Sequence, residues 1–215
     1  MLKHTLVSGA LALVLPSAGL ADPCGELLLN ADGTWENGYS WLDVESPPPD
    51  YGSFAECYSG DGEICALVYW VSDIGFNESA IFDAFVWLDD GSGLPGTVVC
   101  AKLHNDPGPI PNWPEIRRID LSIEGCCVSG SWWVGFRGDW GFPGFYILSD
   151  TNGPDQGCPM TKIAPGLQWP EGWQNVSIIY PEETKALGIG AYLRPCAPVG
   201  VEESSWGRVK SLYGR

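Results

Sequence analysis

The sequence predicts an all-β protein, an antiparallel and disulfide-bonded β-sandwich of the jelly-roll type with about ten strands. Hydrophobic residues alternate with polar residues at a period of two rather than 3.6. The 28 glycines and 18 prolines supply turn signals between these alternating segments. No long amphipathic helix precedes the C-terminal end. A closed β-barrel has the same period, so it stays the structural alternative.

The strand segments follow one another along the chain. ICALVYWV (64–71) is apolar on both faces, as expected of a central sandwich strand. In IFDAFVWLDD (81–90), every second residue from Phe82 to Leu88 is apolar, which predicts a row facing the core. Two further segments alternate similarly: IRRIDLSI (116–123) and SWWVGFRG (131–138). Turn signals separate the strands at 59–62, 89–96, 105–109 and 151–157.

The first 21 residues have the three parts of a secretory signal peptide. Lys3 supplies the positive charge, Leu6 to Leu15 form the apolar segment, and Gly19-Leu20-Ala21 places small residues, Gly19 and Ala21, at the cleavage positions. The apolar run is shorter than the about 20 residues that span a bilayer. We therefore predict a signal peptide at 1–21, a β-sandwich domain at 22–196, a linker with a basic tail at 197–215, and no transmembrane segment in the mature chain.

The charge balance limits the choice of partner. A formal net charge of -16 argues against nucleic acid or an anionic membrane surface as the main partner. The simpler interpretation of this negative charge is that it keeps the protein soluble outside the cell. The predicted location is extracellular or at the cell surface.

An even number of cysteines in an exported chain predicts disulfide bonds rather than a metal site. Zinc binding is not favoured because the chain has no CxxC motif and the mature part has a single histidine, His104. The eight cysteines are Cys24, Cys57, Cys65, Cys100, Cys126, Cys127, Cys158 and Cys196.

Two pairings are predicted from position. Cys57 and Cys65 flank the turn-rich YSGDGEI, which suggests a hairpin that brings them together. Cys24 and Cys196 lie at the two ends of the domain and could join its termini. Two adjacent cysteines on an extended strand point to opposite faces and should pair separately. These adjacent cysteines are Cys126 and Cys127, and their candidate partners are Cys100 and Cys158.

No motif identifies a catalytic site. A Ser-His-Asp site would have to use His104 in the loop-like KLHNDPGP, and a lone histidine in a loop is more often a surface residue. Cysteine catalysis is disfavoured because the thiols are expected to be oxidised. Paired carboxylates such as Asp43 and Glu45 could serve a glycosidase, but pairs at this spacing arise by chance in an acidic chain.

Calcium is a possible cofactor in two oxygen-rich loops. The same Asp, Asn and Gly residues are favoured in turns without a ligand, and Gly153 with Pro154 interrupts an EF-hand pattern. The candidate ligands are Asp150, Asn152 and Asp155 in one loop, with Asp89 and Asp90 in the other.

The 11 tryptophans include several in irregular Gly- and Pro-rich segments, where an exposed ring could stack against a sugar. The alternative is that these rings cover the ends of the sandwich beneath long loops. Trp113 lies in PNWPE, and the candidate sugar-binding residues are Trp140, Trp169, Trp173 and Gln174.

Three segments resemble a group of bacterial exported β-sandwich modules that are mostly uncharacterised. The segments are DGTWENGYSW (32–41), FDAFVWLDDGSGLPGTVV (82–99) and VSGSWWVGFRGDW (128–140). The resemblance implies the sandwich fold and export. It supplies no catalytic residue.

The last residues, SSWGRVKSLYGR (204–215, the tail), resemble the S-x-W-G-x-I-K-x-L-Y/F-R ending of exported proteins from similar bacteria. Val209 stands at the usual Ile position and Gly214 is additional. On a helix, Trp206, Val209 and Tyr213 would share one face, with Lys210 outside it. The resemblance implies a sorting or attachment signal that a sorting receptor would read. An ordinary frayed terminus is the alternative.

The leading hypothesis is therefore an exported, non-enzymatic module of surface structure, adhesion or extracellular matrix. Its partner would be a cell-surface or matrix component, or a glycan. A carbohydrate-binding module that uses exposed tryptophans is the alternative, and a polysaccharide hydrolase is the third hypothesis.

Overall fold

The computed structural model describes residues 24–41, 51–73, 81–138, 145–180 and 183–196. The predicted signal peptide (1–21), the linker and tail (197–215, with Trp206, Lys210 and Tyr213), Trp140, Asp43 and Glu45 lie outside the described residues. No helix within the described part of the chain has the length and apolar character needed to cross a membrane.

The described residues form thirteen strands in two antiparallel sheets, which confirms the predicted sandwich and excludes the closed barrel. The seven-stranded larger sheet consists of β1 (Glu26–Leu28), β2 (Asn37–Tyr39), β4 (Gly62–Ser72), β7 (Arg117–Val128), β9 (Tyr146–Asp150), β12 (Ala186–Leu187) and β13 (Ile189–Arg194). The six-stranded smaller sheet consists of β3 (Phe54–Ser59), β5 (Phe82–Asp89), β6 (Pro95–Asn105), β8 (Ser131–Gly138), β10 (Met160–Ile163) and β11 (Gly172–Asn175). The count exceeds the predicted ten because β1, β2 and β12 are only two or three residues long.

Strand β4 is the centre of the larger sheet. It pairs with β7 along one edge and with β13 and the start of β9 along the other, while β1 lies outside β13. Strands β2 and β12 pair with β9. The smaller sheet has the order β11-β10-β3-β8-β5-β6. The chain crosses repeatedly between the sheets, as in a jelly roll.

The main core lies between the sheets and is rich in aromatic rings. Tyr69 from the larger sheet packs edge-on against Phe136 and Phe82 from the smaller sheet, with ring centroids 5.6 and 5.5 Å apart. The Tyr69 hydroxyl donates to the carbonyl of Gly135 at 3.0 Å, so the buried oxygen is satisfied. The apolar row that starts at Phe82 faces this core as predicted, and Leu88 at its end is half-buried.

The predicted Cys57–Cys65 bridge is wrong because YSGDGEI is not a hairpin. The chain passes there from β3 in the smaller sheet to β4 in the larger sheet. Cys57 then packs in the cluster on the outer face of one sheet, and Cys65 packs in the cluster on the outer face of the other. The four bridges are Cys24–Cys65, Cys57–Cys158, Cys100–Cys126 and Cys127–Cys196.

The Cys24–Cys196 prediction is also wrong, since each terminal cysteine bonds to a strand of the larger sheet instead of to the other terminus. Separate pairing of Cys126 and Cys127 is confirmed, and Cys100 is the partner of Cys126. Cys158 as a partner of this pair is wrong, because it bonds to Cys57. Four disulfides with no free cysteine among the described residues indicate an oxidising compartment.

The disulfides lie toward one end of the sandwich. Cys65 is near the start of β4, and Cys127 pairs in register with Glu63. Ser72 marks the opposite end of β4, roughly 23 Å from Cys65 along the strand. We call the end of the sandwich that holds Cys65 and Cys127 the disulfide end, and the end at Ser72 the open end.

Candidate functional site

The two tryptophans predicted to form a sugar platform, Trp169 and Trp173, lie on opposite faces of the smaller sheet. Trp169 packs edge-on against Trp41 at the main core, with ring centroids 6.3 Å apart. Trp173 packs edge-on against Trp87 on the outer face, at 5.5 Å. Both rings are half-buried. They therefore do not form one flat surface.

The aromatic residues on that outer face fill a concavity instead of covering a flat sheet. Trp87 is on β5 and Trp173 is on β11, with three strands between them. In a flat sheet their backbones would be roughly 19 Å apart. Because the rings touch, the face curves inward over Ala55 and Met160. Trp87 is 2% exposed, so this cluster is a second small core.

Trp173 also lies beside the charged side chain of Lys162. The Lys162 ammonium lies 5.8 Å from the centre of the Trp173 ring and 5.4 Å from that of Tyr51, within cation–π range. Gln174, the fourth predicted sugar contact, donates from Nε2 to the carbonyl of Glu171 at 3.3 Å.

The carboxylate of Asp150, predicted to bind calcium, accepts hydrogen bonds from the backbone. Its Oδ2 accepts the Asp32 N–H at 2.8 Å, and its Oδ1 accepts the N–H groups of Asn152 at 3.0 Å and Gly153 at 2.6 Å. Asp155 lies 3.6 Å from the Lys185 ammonium. Asp150 therefore anchors the loop to the segment before β2, whether or not an ion binds.

The Asp89–Asp90 loop is closed in the same way. Asp89 Oδ1 accepts the Gly91 N–H at 2.8 Å, and Asp90 Oδ1 accepts the Ser92 N–H at 2.8 Å. The hydroxyl of Ser92 also donates to Asp90 Oδ1, at 2.7 Å. The hydroxyl and the N–H of Ser92 together lower the pKa of Asp90. Among the described residues, three Cys, His, Asp or Glu ligand atoms converge only at Glu56, Cys57 and Cys158. Two of those three are joined in a disulfide, so their sulfurs are not thiolate ligands.

A pocket of about 250 Å³ opens on the outer face of the larger sheet, at the open end. It lies where β2 pairs with β9 and β9 pairs with the last residues of β4. A side chain at Gly38 would crowd the floor, because a Cβ there would lie 3.1 Å from that of Tyr146. The lining residues are Glu36, Asn37, Gly38, Ser72, Asp73, Trp113, Tyr146 and Leu148. We call this the sheet pocket.

The wall that carries Trp113 comes from the loop between β6 and β7, and hydrogen bonds hold it to the end of β4. The Asp73 N–H donates to the Pro111 carbonyl at 2.9 Å, and the Trp113 N–H donates to the Asp73 carbonyl at 2.8 Å. Ser72 Oγ donates to the Glu115 carbonyl at 2.9 Å. The Trp113 ring is 47% exposed, so the loop presents it to solvent at the edge of the sheet pocket.

The polar groups of the sheet pocket are acidic or neutral. Glu36 Oε2 accepts the Thr151 N–H at 3.0 Å. Its Oε1 lies 3.0 Å from Thr34 Oγ1, whose one hydroxyl proton also has Asp32 Oδ1 as an acceptor at 2.7 Å. Asp73 is fully buried. Burial and the neighbouring Asp73 raise the pKa of Tyr146. No Lys, Arg or His is among the described residues that line this pocket.

The sheet pocket brings together parts of the chain that the sequence only partly marks. Glu36, Asn37 and Gly38 belong to the motif DGTWENGYSW, and Trp113 was among the tryptophans in irregular segments. Asp73 and Tyr146 carried no sequence signal. His104 does not line this pocket; its N–H donates to Asp83 Oδ1 at 2.7 Å.

A second polar group, Glu56, is buried outside the sheet pocket. It lies between Phe54 and Tyr58 in the inward-facing row of β3, and it is 0% exposed. Its carboxylate accepts the Leu187 N–H at 2.8 Å, Asn30 Nδ2 at 3.0 Å and the N–H of Cys158. A charged residue in an otherwise apolar inward row is a signal that the sequence analysis could have used.

Comparison with known proteins found no matching family model, no similar curated protein and no similar solved structure.

Proposed function

We propose that this chain is an exported, non-enzymatic adhesion or matrix module that binds carbohydrate in the sheet pocket. The observation that carries the proposal is the pairing of the exposed Trp113 ring with carboxylate, amide and hydroxyl groups in one cavity. Four disulfides and the resemblance to exported sandwich modules support export. The tail, residues 204–215, would sort or attach the protein.

The lining suits a sugar because a pyranose ring has both an apolar face and hydroxyl groups. The C–H face can stack on Trp113, while Asn37, Glu36 and the Tyr146 hydroxyl can hydrogen-bond to sugar hydroxyls. The volume is somewhat below the roughly 300–1,000 Å³ of drug-sized ligand sites. A single ring or the end of a glycan chain fits that size.

The two carboxylates of the sheet pocket are the basis of the competing hydrolase hypothesis. Glu36 is exposed, but Asp73 is fully buried, so its side chain does not reach a sugar in the cavity. A glycosidase needs two carboxyl groups that both reach the glycosidic bond. The arrangement therefore favours binding over hydrolysis.

The position of the sheet pocket supports an attached module. The first and last described cysteines, Cys24 and Cys196, are tied at the disulfide end through Cys65 and Cys127. The sheet pocket is at the open end, beside Ser72. A protein held by its tail would then present this pocket away from the attachment.

The proposal is tested by applying the oxidised, exported protein to an array of neutral, acidic and amino glycans. Trp113→Ala should weaken binding by roughly tenfold or more, since each 1.4 kcal/mol of lost contact is a factor of ten. Trp173→Ala, on the outer face of the other sheet, is the matched control and should bind normally. Circular dichroism would verify that both variants fold.

Two results would overturn this assignment. Binding lost in Trp173→Ala and kept in Trp113→Ala would move the site to the smaller sheet. Release of reducing ends from a polysaccharide panel by the wild-type protein, lost in Glu36→Gln, would make the protein a hydrolase.

A further inference from the structure

We infer that the sheet pocket prefers sugars that carry a methyl group, either in the acetamido group of an N-acetylhexosamine or at C6 of a 6-deoxyhexose. This inference rests on the proposed function and narrows its ligand class. It starts from the lining atoms that a bound sugar can reach.

Two polar residues of the lining are closed to a ligand. Asp73 is 0% exposed and Ser72 is 2% exposed, and the Ser72 hydroxyl donates to the Glu115 carbonyl at 2.9 Å. A bound sugar therefore meets the lining residues that are exposed or half-buried, which are Glu36, Asn37, Gly38, Trp113 and Tyr146. Their polar side-chain groups are one carboxylate, one amide, one phenol hydroxyl and one indole N–H. The rest of the accessible surface is carbon.

Gly38 forms the floor of the sheet pocket, and the atoms around that floor are mostly carbon. Gly38 pairs with Leu148 between β2 and β9, and residues paired across two strands project to the same face of a sheet. A Cβ added at Gly38 would lie 3.1 Å from the Cβ of Tyr146 and 3.5 Å from Cδ2 of Leu148. The polar neighbour is the main-chain carbonyl of Ile147, at 3.3 Å. The space left by the missing side chain is therefore apolar on its side-chain walls.

The backbone does not require a glycine at this position. Gly38 is not among the described glycines with a positive φ, so a residue with a side chain can adopt its conformation. The glycine is needed for the space that it leaves, and that space opens into the sheet pocket. Gly38 thus sets the depth of the cavity.

A methyl group suits this floor better than a hydroxyl group does. A hydroxyl placed against carbon loses its hydrogen bonds to water, whereas a methyl group gains free energy when it leaves water. The ring of the same sugar can stack on Trp113, and its hydroxyls can reach the exposed Glu36. Acetamido and 6-deoxy groups are uncharged, so they bring no second negative charge beside that carboxylate.

The test uses two pairs of sugars in NMR titrations of the oxidised, exported protein, because NMR measures weak binding. N-acetylglucosamine and N-formylglucosamine differ only in the methyl group of the amide. L-Fucose and L-galactose differ only at C6, which is a methyl group in the first and a hydroxymethyl group in the second. In at least one pair, the methyl-bearing sugar should bind roughly four- to tenfold more tightly than its counterpart. The pair that shows this preference identifies the source of the methyl group.

Gly38→Ala separates the floor from the rest of the sheet pocket. Its added methyl group would occupy the floor, so the preference for the methyl-bearing sugar should disappear while the counterpart keeps its affinity. Trp113→Ala is the matched control and should weaken both members of a pair equally, since either ring can stack there. Because Gly38→Ala also crowds Tyr146, saturation-transfer NMR on the wild type supplies a measurement without a variant. The methyl protons of the sugar should receive the strongest saturation.

Three results would overturn the inference and leave the proposed function standing. Both members of each pair could bind equally to the wild type, with binding abolished by Trp113→Ala. Gly38→Ala could weaken both members of a pair equally, which would show general damage to the cavity. The strongest saturation could fall on ring protons, which would place the methyl group outside the floor. Binding of no glycan, on the array or in solution, would refute both the inference and the proposed function.

Discussion

The buried carboxyl group of Glu56 should make the stability of this protein fall as pH rises from mildly acidic to neutral. Its oxygens accept N–H donors from both layers, with Leu187 on β12 of the larger sheet and Cys158 before β10 of the smaller sheet. Burial raises the pKa of Glu56 to about 7, and the N–H donors from Cys158, Leu187 and Asn30 oppose that rise. Burial is the larger effect because the side chain has no contact with water.

The sign follows from proton binding. The unfolded carboxyl has a pKa of 4.5 and the folded one of about 7, so between these values the folded state holds more protons. The stability that Glu56 contributes is therefore fully present below pH 4.5 and is lost as pH rises to about 7, by about 3 kcal/mol at 1.36 kcal/mol for each unit of pKa. Glu63 and Asp90 have lowered pKa values, so their contributions are lost only at more acidic pH.

The assay is guanidinium unfolding of the oxidised protein, followed by tryptophan fluorescence at pH 4.5 and pH 7. Wild type should lose about 3 kcal/mol more between these conditions than Glu56→Gln, which has no proton to titrate. Glu26→Gln makes the same chemical change on an exposed side chain of β1 and should follow wild type. A wild-type stability that rises over this interval would show that the N–H donors outweigh burial. A parallel response of Glu56→Gln would assign the pH dependence to other groups.

Two further predictions concern stability and location. Trp87→Ala should reduce the free energy of unfolding by about 3–5 kcal/mol, because it empties the second core on the outer face of the smaller sheet. Trp113→Ala should cost under about 1 kcal/mol because its ring is half exposed; equal losses in guanidinium unfolding would contradict this difference. Deleting residues 204–215 should leave the melting temperature unchanged and alter the location of the protein in cell fractionation. A truncated protein found in its normal location would show that the tail is not a sorting signal.

The period of two was sufficient to predict the sandwich and the orientation of single strands. Phe82, Ala84 and Val86 face the core because alternation on a pleated strand fixes which side chains share a face. The same rule correctly separated Cys126 from Cys127, whose neighbouring positions on β7 direct them to different partners. These predictions depend only on local geometry.

Predictions that depended on which strands are neighbours failed or gave an incomplete picture. A short turn such as 60–61 joins two strands equally well whether they pair or cross between layers, so Cys57 and Cys65 looked like partners. Trp169 and Trp173 are four residues apart, yet Trp169 precedes β11 and its ring packs at the main core, while Trp173 faces outward. The sheet pocket combines residues over 100 positions apart in sequence, and only tertiary structure shows that Asp73 and Tyr146 belong with Glu36.

The disulfide pattern suits an adhesion module in a way that terminal cross-linking would not. A load applied through the tail would reach the domain at Cys196, which is bonded to Cys127 on β7. From there it passes to β4 through an antiparallel register that extends from the Gly62–Val128 pair to the Val71–Arg117 pair. Strand β4 ends at Ser72, which lines the sheet pocket. In the proposed module the covalent bond would transfer tension from the attachment to the longest pair of strands, β4 and β7, and bypass the short strands β1 and β12. A Cys24–Cys196 bridge would instead have joined the two termini and left the tail connected to the sheet only through β13.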